Sequence, residues 1–443
     1  MTLSYSAQIA FDTVRCGAIA AVALAIGWAL GARLPRTRWS AALLLAALLM
    51  PALLVSYAYA PVALRLTGQP QLLLAAYSGL LALKLASLAG LTRWLFPPSL
   101  PREALYCAGL IEGRSIRERI TFLLRAVGAV PCIVLVIAFL LAFGDFESAS
   151  LLSVKNWPVQ LFDAHAGGLE LAASLRRVAL PVGIELALLG AVFLVGRHAA
   201  PQAASILTTR AVPWAFVITG MIAAITAFIP LAIVAFQAAR AFTAMTYGVV
   251  MWEEIASSLA FAIAGSGLAW ILAAIAGSSR AGWVLILPGL LGSLVLSLLL
   301  LALFMTRPLQ FAYDTPAPLT LALTLLATPI AFLLRWLIRS HQPHEALHLA
   351  RMAGVRRLLW DLALSRRMAA VGLVFLLAYS ELTASALLAP IRFAPVFVRL
   401  HNLSHYGQTP ILSLMLLAAT LAPAALLALT LGLGRLYARR DAR

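Results

Sequence analysis

Two carboxylates stand at the same place in two related stretches of this sequence. The stretch FLLAFGDFESASLL is repeated later as FLLAYSELTASALL, so that Asp145 and Glu381 lie 236 residues apart at matched positions. An aromatic residue, Phe143 or Tyr379, stands two residues before each acid. An acid in an apolar segment is costly unless it faces water, a partner or a cation. These four residues are therefore predicted to line a path for a cationic solute, and the alternative is a pair of polar helix ends that face water.

A second pair of acids opens two polar stretches of the chain. The pattern Pro-x-Glu-Ala-Leu-x-x-Ala contains Glu103 and Ala104 and returns, 242 residues later, with Glu345 and Ala346. An acid in the first turn of a helix interacts favourably with the helix dipole. Each stretch is therefore predicted to open a short pair of surface helices. The acids could be ordinary helix-start residues on solvated loops, but their recurrence favours a docking role.

The whole chain is predicted to be a duplication. A third match, Pro51-x-Leu-Leu-x-Ser, returns 237 residues later at Pro288. Three collinear matches at nearly one offset are typical of a repeated membrane unit. We predict a first repeat over 1–200, a linking span region over 201–245 and a second repeat over 246–443. The polar loops of the two repeats cover 92–126 and 339–367.

Composition indicates that these elements are membrane helices. Hydrophobic residues make up 63% of the chain, charged residues 11%, and the mean hydropathy is +0.97. Long uncharged segments without period-2 alternation predict helices, because a helix satisfies its own backbone hydrogen bonds in lipid. We therefore predict an all-α membrane protein with about eleven spans. The predicted spans cover 17–32, 41–60, 71–91, 127–149, 178–196, 214–236, 255–276, 283–305, 318–338, 368–389 and 409–434.

The distribution of basic residues predicts the orientation. With the C-terminus in the cytoplasm, 23 of the 33 basic residues fall on inner loops and flanks, 9 fall on the outer side, and Lys84 lies within a span. This asymmetry follows the positive-inside rule and places the N-terminus outside. The same distribution explains the net charge of +17, because the excess basic residues are predicted to lie on cytoplasmic loops that face anionic lipid. We therefore expect no nucleic-acid partner.

The sequence offers few motifs of catalysis or metal binding. It contains no Gly-x-Ser-x-Gly or Cys-x-x-Cys pattern, and its two lysines, Lys84 and Lys155, do not stand in a phosphate-binding loop. His344 and His348, with Glu345 between them, have the His-Glu-x-x-His spacing, and His401 and His405 also stand at i and i+4, but no Cys ligand accompanies either pair. We therefore predict no catalytic site, no metal site and no nucleotide site in this chain.

The two polar loops resemble a known family. PREALYCAGLIEGRSIRERITFLL and PHEALHLARMAGVRRLLWDLALS are similar to the cytoplasmic EAA loop of ABC importer permeases, in which Glu-Ala opens a helix seated in a cleft of the ATPase subunit. In the second loop Arg351 takes the place of the glycine, and a glycine follows three residues later. The resemblance implies ATPase-coupling roles for Glu103, Ala104, Gly109, Glu345, Ala346 and Gly354.

The resemblance extends over nearly the whole chain. FLLAYSELTASALLAP and VRLHNLSHYGQTPILSL are similar to the fused two-half permeases of the ferric iron and thiamine branch. This implies two parallel type I permease repeats in a bacterial cytoplasmic membrane, a separate ATPase, in its usual form a dimer, that binds the ATP, and an external solute-binding protein. It implies no cofactor in the chain itself. The open alternatives are a secondary transporter with parallel repeats and a membrane scaffold without transport activity.

Overall fold

The computed structural model describes residues 4–95, 130–197, 212–241, 251–277, 282–340, 348–349, 352–353, 360, 364–407 and 409–440. Within these ranges every regular element of three or more residues is a helix. The described chain divides into two compact units. The first unit contains Met1–Leu169 and Arg176–Ala232, and the second contains Glu170–Leu175 and Ile233–Arg443.

The first unit begins with a long helix and a bent pair. Its elements, in chain order, are α1 (Tyr5–Arg33), α2 (Arg38–Leu49), α3 (Ala52–Leu66), α4 (Pro70–Leu95), α5 (Val130–Phe143), α6 (Glu147–Leu151), α7 (Trp157–Ala166), α8 (Leu171–Arg197) and α9 (Pro213–Ala241). A π-helical segment, Ala224–Phe228, interrupts α9. The division between the two units falls within α9, inside the region predicted to be the linking span.

The second unit repeats this order of elements. It consists of α10 (Trp252–Ala276), α11 (Gly282–Ile286) with the 3-10 turn Leu287–Leu290, α12 (Ser293–Phe304), α13 (Ala317–Ser340), α14 (Ser365–Tyr379), α15 (Thr383–Leu388), α16 (Val396–Ser404) and α17 (Pro410–Arg440). Each unit thus has a long helix, a bent helix pair, a second long helix, a helix that ends just before an acid, two short helices and a closing long helix.

The helices are long and apolar enough for a multi-pass membrane protein. Among the described residues six pass this test, namely α1, α4, α9, α10, α13 and α17, and the two bent pairs raise the number to eight if each crosses as one span. The predicted all-α, multi-pass membrane character is confirmed. The count of eleven spans and their orientation stay predictions.

Besides 41–60 and 283–305, which contain the bent pairs, two further predicted spans are divided in the structure. The segment 127–149 was expected to form one helix, but α5 ends at Phe143 and α6 begins at Glu147. In the same way, the segment 368–389 is divided between α14 and α15. A carboxylate stands in each break and accepts hydrogen bonds from the following turn, which offers the backbone an alternative to a continuous helix.

Small residues allow the two long helices that flank the bent pair of each unit, α1 with α4 and α10 with α13, to pack closely. A Cβ atom added at Gly27 or Gly31 of α1 would overlap the backbone carbonyl oxygen of Ala86 or Gly90 in α4. In the second unit, a Cβ at Gly265 of α10 would lie 2.9 Å from the Cβ of Leu323 in α13. Close approach at small residues is the usual basis of helix association in membranes, where the surrounding lipid is as apolar as the side chains.

In each unit the break of the bent helix pair packs against the next long helix. The axes of α2 and α3 differ by 71°. Met50 and Pro51 form the break, and Nζ of Lys84 in α4 donates a hydrogen bond of 3.0 Å to the carbonyl oxygen of Met50. In the second unit the bend is 114°, and Gly289 lies directly against the Leu325 carbonyl of α13. The breaks expose backbone polar groups, and such groups need a partner in an apolar medium.

Candidate functional site

An aromatic triplet marks the same place in both units. In the first unit the ring centroid of Phe143 lies 5.3 Å from that of Phe139 and 5.1 Å from that of Trp157. The second unit has the same arrangement. The ring centroid of Tyr379 lies 6.2 Å from that of Phe375 and 5.4 Å from that of Phe397. The ring pairs are stacked or tilted in the first unit and tilted or edge-on in the second, and their centroid distances are typical of aromatic pairs. The triplet joins α5 to α7 in the first unit and α14 to α16 in the second.

The two predicted aromatic site residues lie within this packing. Phe143 is 1% exposed and Tyr379 is 4% exposed. By contrast, Asp145 and Glu381, which follow them by two residues, are both partly exposed. The aromatic rings thus support the break in each unit, while the carboxylates retain some access from outside their unit's core.

Asp145 holds the break between α5 and α6 through several hydrogen bonds. The backbone N–H and the hydroxyl of Ser148 donate to its Oδ1, at 3.4 and 3.1 Å. The hydroxyl of Tyr77, on α4, donates to Oδ2 at 2.8 Å. The Asn156 side chain donates to the Asp145 carbonyl oxygen at 2.6 Å. Both carboxylate oxygens are therefore engaged, and Lys84 lies within electrostatic range.

Glu381 holds the corresponding break in the second unit through hydrogen bonds from the following turn and from Ser293. Its Oε1 accepts from the backbone N–H of Ala384 at 3.2 Å. The hydroxyl of Ser293 and the backbone N–H of Thr383 are its other donors in the described part of the chain. The two acids are thus matched in their capping role and differ in their surroundings.

The first helix of each unit holds the N-terminus of the second short helix. In the first unit, the backbone N–H of Trp157 donates to Oδ2 of Asp12 at 2.8 Å. In the second unit, the backbone N–H of Val396 donates to Oγ of Ser258, also at 2.8 Å. These donors stand at the start of a helix, where N–H groups lack an intrahelical partner. The side chains of Asp12 and Ser258 supply it.

An ion pair lies inside the first unit. Nη2 of Arg15 is 2.8 Å from Oδ1 of Asp12, and both side chains are buried. Gln8 donates to Oδ2 of Asp12 at 3.1 Å. The guanidinium carbon of Arg15 lies 5.4 Å from the ring centroid of Tyr77, within the range of a cation–π interaction. The ion pair is thus linked, through Tyr77, to Asp145.

A cavity of about 350 Å³ lies beside Tyr77 in the first unit. Its walls are mainly apolar and come from α3, α4, Leu152 and the π-helical segment of α9. The two tyrosines in its wall use their hydroxyls elsewhere: Tyr59 donates to the Ile225 carbonyl oxygen at 2.7 Å, and Tyr77 donates to Asp145. The cavity therefore offers apolar surface to a ligand.

The histidine pair of α16 does not extend into a metal site in the described residues. The ring centroids of His401 and His405 are 4.8 Å apart. Among the described residues, no group of three or more His, Cys, Asp or Glu side chains could hold a metal ion. Burial, followed by the charge of the neighbouring His405, lowers the pKa of His401 to about 4. His401 is therefore a neutral, packed side chain at physiological pH.

The predicted coupling residues lie outside the described residues. These are Glu103, Ala104 and Gly109 in the first loop, and Glu345, Ala346 and Gly354 in the second. Their roles stay predictions. Sequence reasoning did not select Asp12, Tyr77 or the contact of Lys84 with Met50, each of which joins two elements of the first unit. An acid and an arginine at i and i+3 in an apolar helix were the available signal for Asp12.

No protein-family model, curated protein or solved structure matches this chain. Its function is therefore inferred from the residues and the geometry of the two units.

Proposed function

We propose that this chain is the transmembrane permease subunit of an ABC importer in a bacterial cytoplasmic membrane. The observation that supports this most is the duplication, since two units with the same order of elements each place a carboxylate and an aromatic triplet at the same break. Two like units can offer two like cytoplasmic helices to the two copies of a partner, as the twofold symmetry of a dimeric ATPase requires.

A separate energy source is part of the proposal. The only lysines of the chain, Lys84 and Lys155, stand outside any Gly-x-x-x-x-Gly-Lys context, so the sequence provides no phosphate-binding loop. Movement of a solute against its gradient would then depend on a cytoplasmic ATPase that closes on the EAA-like helices. Closure of the partner would be passed to the spans as a rigid-body movement. An external solute-binding protein would deliver the solute.

The proposed solute carries positive charge. Asp145 and Glu381 are partly exposed carboxylates at the breaks of mainly apolar units, and Phe143 and Tyr379 support them. An acid in such surroundings is stabilised by a cation. Ferric iron and thiamine are both positively charged, and both enter the proposal only through the resemblance of the sequence to that branch of permeases.

A secondary transporter is the second candidate. The observation that favours it is the same pair of carboxylates, because intramembrane acids also serve as coupling sites for protons or sodium. Such a protein would work without an ATPase. A scaffold without transport activity is the third candidate, and it gives the matched acids no common role.

Purification with its partners separates these candidates. The chain, extracted in mild detergent from its native host, should carry a stoichiometric ATPase. Glu103→Arg and Gly109→Trp should leave the amount of inserted protein unchanged and abolish solute-stimulated ATP hydrolysis, because a helix seated in a cleft loses its fit. Glu345→Arg should act in the same direction but more weakly, since Arg351 replaces the glycine in that loop.

A matched control is available in the first loop. Glu112→Arg makes the same charge reversal outside the Glu-Ala pair. It should leave ATP hydrolysis near the wild-type rate. Full transport by the double variant Glu103→Arg, Glu345→Arg would refute the coupling assignment, and transport by a chain free of any ATPase would favour the secondary transporter.

A further inference from the structure

An arginine lies over a tryptophan ring at the same place in both units. In the first unit the guanidinium carbon of Arg93, in α4, is 5.0 Å from the ring centroid of Trp28, in α1. In the second unit that of Arg335, in α13, is 5.3 Å from the ring centroid of Trp270, in α10. Both distances are typical of a cation–π interaction. We infer that each arginine–tryptophan pair is the core of a binding site for the phosphate of an anionic phospholipid.

The two pairs occupy matched positions of the duplication. Arg93 and Arg335 are 242 residues apart, and so are Trp28 and Trp270. A further tryptophan directly follows each arginine in the sequence. Both arginines stand near the end of a long apolar helix, on the side that the distribution of basic residues predicts to be cytoplasmic. The contact therefore belongs to the repeated unit and is not peculiar to one helix end.

No carboxylate neutralises these arginines in the described part of the chain. Helices α4 and α13 contain no acidic residue, and the acids of α1 and α10 lie in the halves of those helices that do not contain the tryptophans. The charged neighbours are further arginines, namely Arg36 for Arg93, and Arg339 and Arg367 for Arg335. Like charges that stand close together repel one another. Each unit thus has a positive cluster that a bound anion would stabilise.

The guanidinium groups also have hydrogen-bond donors to offer. Nε of both arginines and Nη1 of Arg93 are buried and have no hydrogen-bond partner within the described ranges. Buried donors normally have a partner, so these nitrogens indicate a missing ligand or water. The arginine and tryptophan side chains as a whole are partly exposed, so each site is open on one side. The planar guanidinium suits phosphate, because it can donate to two phosphate oxygens at once.

The location of the sites selects a phospholipid among ligands that carry phosphate. Tryptophans near the ends of membrane helices lie at the level of the lipid headgroups. Basic pockets between membrane helices on the cytoplasmic side bind anionic headgroups. Beside Arg335, Leu333 is 46% exposed and Trp336 is 52% exposed. This apolar surface suits the acyl chains of a lipid and offers nothing to a free phosphate ion. The sites depend on the membrane character of the chain and not on the proposed transport.

Native mass spectrometry of the full-length chain in detergent tests the two sites. In micelles that contain phosphatidylglycerol, the wild type should retain one lipid for each site. Arg93→Gln and Arg335→Gln should each lose one of these lipids, and the double variant should lose both. Arg65→Gln removes the same charge from an exposed arginine at the end of α3 and should retain lipid as the wild type does. Phosphatidylcholine, which carries no net charge, should dissociate from every variant.

Thermal unfolding gives a second measurement, because a ligand that binds only the folded state raises the melting temperature. Phosphatidylglycerol should raise the melting temperature of the wild type more than that of the double glutamine variant. The double variant Arg93→Lys, Arg335→Lys keeps both charges and loses the planar donors, so it should respond less than the wild type. It also replaces the glutamine variants if these do not fold.

Several outcomes would overturn the inference. Equal retention of phosphatidylglycerol by the wild type and the double glutamine variant would remove both sites. Equal loss of lipid from Arg65→Gln would indicate attraction to the net charge alone. Displacement of the lipid by millimolar inorganic phosphate would indicate a site for a free anion. Absence of an ATPase from the purified protein bears only on the proposed function, so the two failures can be told apart.

Discussion

The hydroxyl of Tyr77 donates a hydrogen bond of 2.8 Å to Oδ2 of Asp145, across 68 positions of the sequence. Through it α4 is bound to the break between α5 and α6. The guanidinium of Arg15 lies over the ring of the same tyrosine. Tyr77 is therefore the point at which the ion pair of α1 and the carboxylate of the break meet.

Removal of this hydroxyl should destabilise the first unit. Tyr77→Phe leaves a carboxylate oxygen without its donor, and a buried unsatisfied acceptor costs about 1–3 kcal/mol. We expect a drop of several degrees in the melting temperature of the detergent-solubilised protein. Tyr406→Phe is the matched control, since Tyr406 is 89% exposed. In an Asp145→Ala background the effect of Tyr77→Phe should largely vanish, and full additivity of the two changes would contradict the contact.

Lys84 should stabilise the break of the first bent pair. Lys84→Met keeps the length of the side chain and removes the donor to the Met50 carbonyl oxygen, with an expected loss of about 1–3 kcal/mol for an unsatisfied backbone group. Melting temperature and resistance to proteolysis both report the loss. The other lysine of the chain serves as control, because the Lys155 side chain is exposed and Lys155→Met should have no effect. Equal melting temperatures for both variants would refute the role of Lys84.

Gly27 should be intolerant of any side chain. Gly27→Ala places a methyl group against the backbone of α4, and overpacking of this kind costs about 1–3 kcal/mol. Gly17, on the same helix, has open space around it. Gly17→Ala should therefore be neutral or stabilising, because alanine has the higher helix propensity. Thermal unfolding followed by far-UV circular dichroism distinguishes the two, and an equally stable Gly27→Ala variant would disprove the close contact of α1 with α4.

His401 should make stability sensitive to pH. Its pKa in the folded protein, about 4, lies below the ordinary value of 6.5, so the unfolded chain takes up the proton first as the pH falls. Its contribution to stability is complete above pH 6.5 and is lost as the pH falls toward 4. The melting temperature of His401→Gln should therefore change less between about pH 7 and about pH 5 than that of the wild type. An equal pH dependence of the two proteins would contradict the neutral, buried state of His401.

The orientation of the chain is tested by reporters at its ends. If the arginine asymmetry sets the topology, a fusion after Arg443 should be active in the cytoplasm and a fusion at the N-terminus should be active outside. An alkaline phosphatase and a fluorescent protein, used as a complementary pair at each end, give opposite signals on the two sides. Both ends on one side would mean an even number of spans.

Several features of this protein follow from the sequence alone. The apolar composition and the long uncharged segments indicate a helical membrane protein, because only hydrogen-bonded helices suit such segments in lipid. The duplication is also visible, since Pro51 and Pro288 and the acids Asp145 and Glu381 recur at nearly constant offsets. These inferences need only local information, namely the type of a residue, its neighbours in the sequence and the spacing at which the pattern recurs.

The tertiary structure decided which polar side chains meet. Sequence periodicity did not reveal that Tyr77 reaches Asp145, that Lys84 reaches the break at Met50, or that Asp12 holds the start of α7, because these contacts depend on the register in which α1, α4 and the breaks pack. That register is set by the close approach at Gly27 and Gly31, a property of two surfaces and not of one segment.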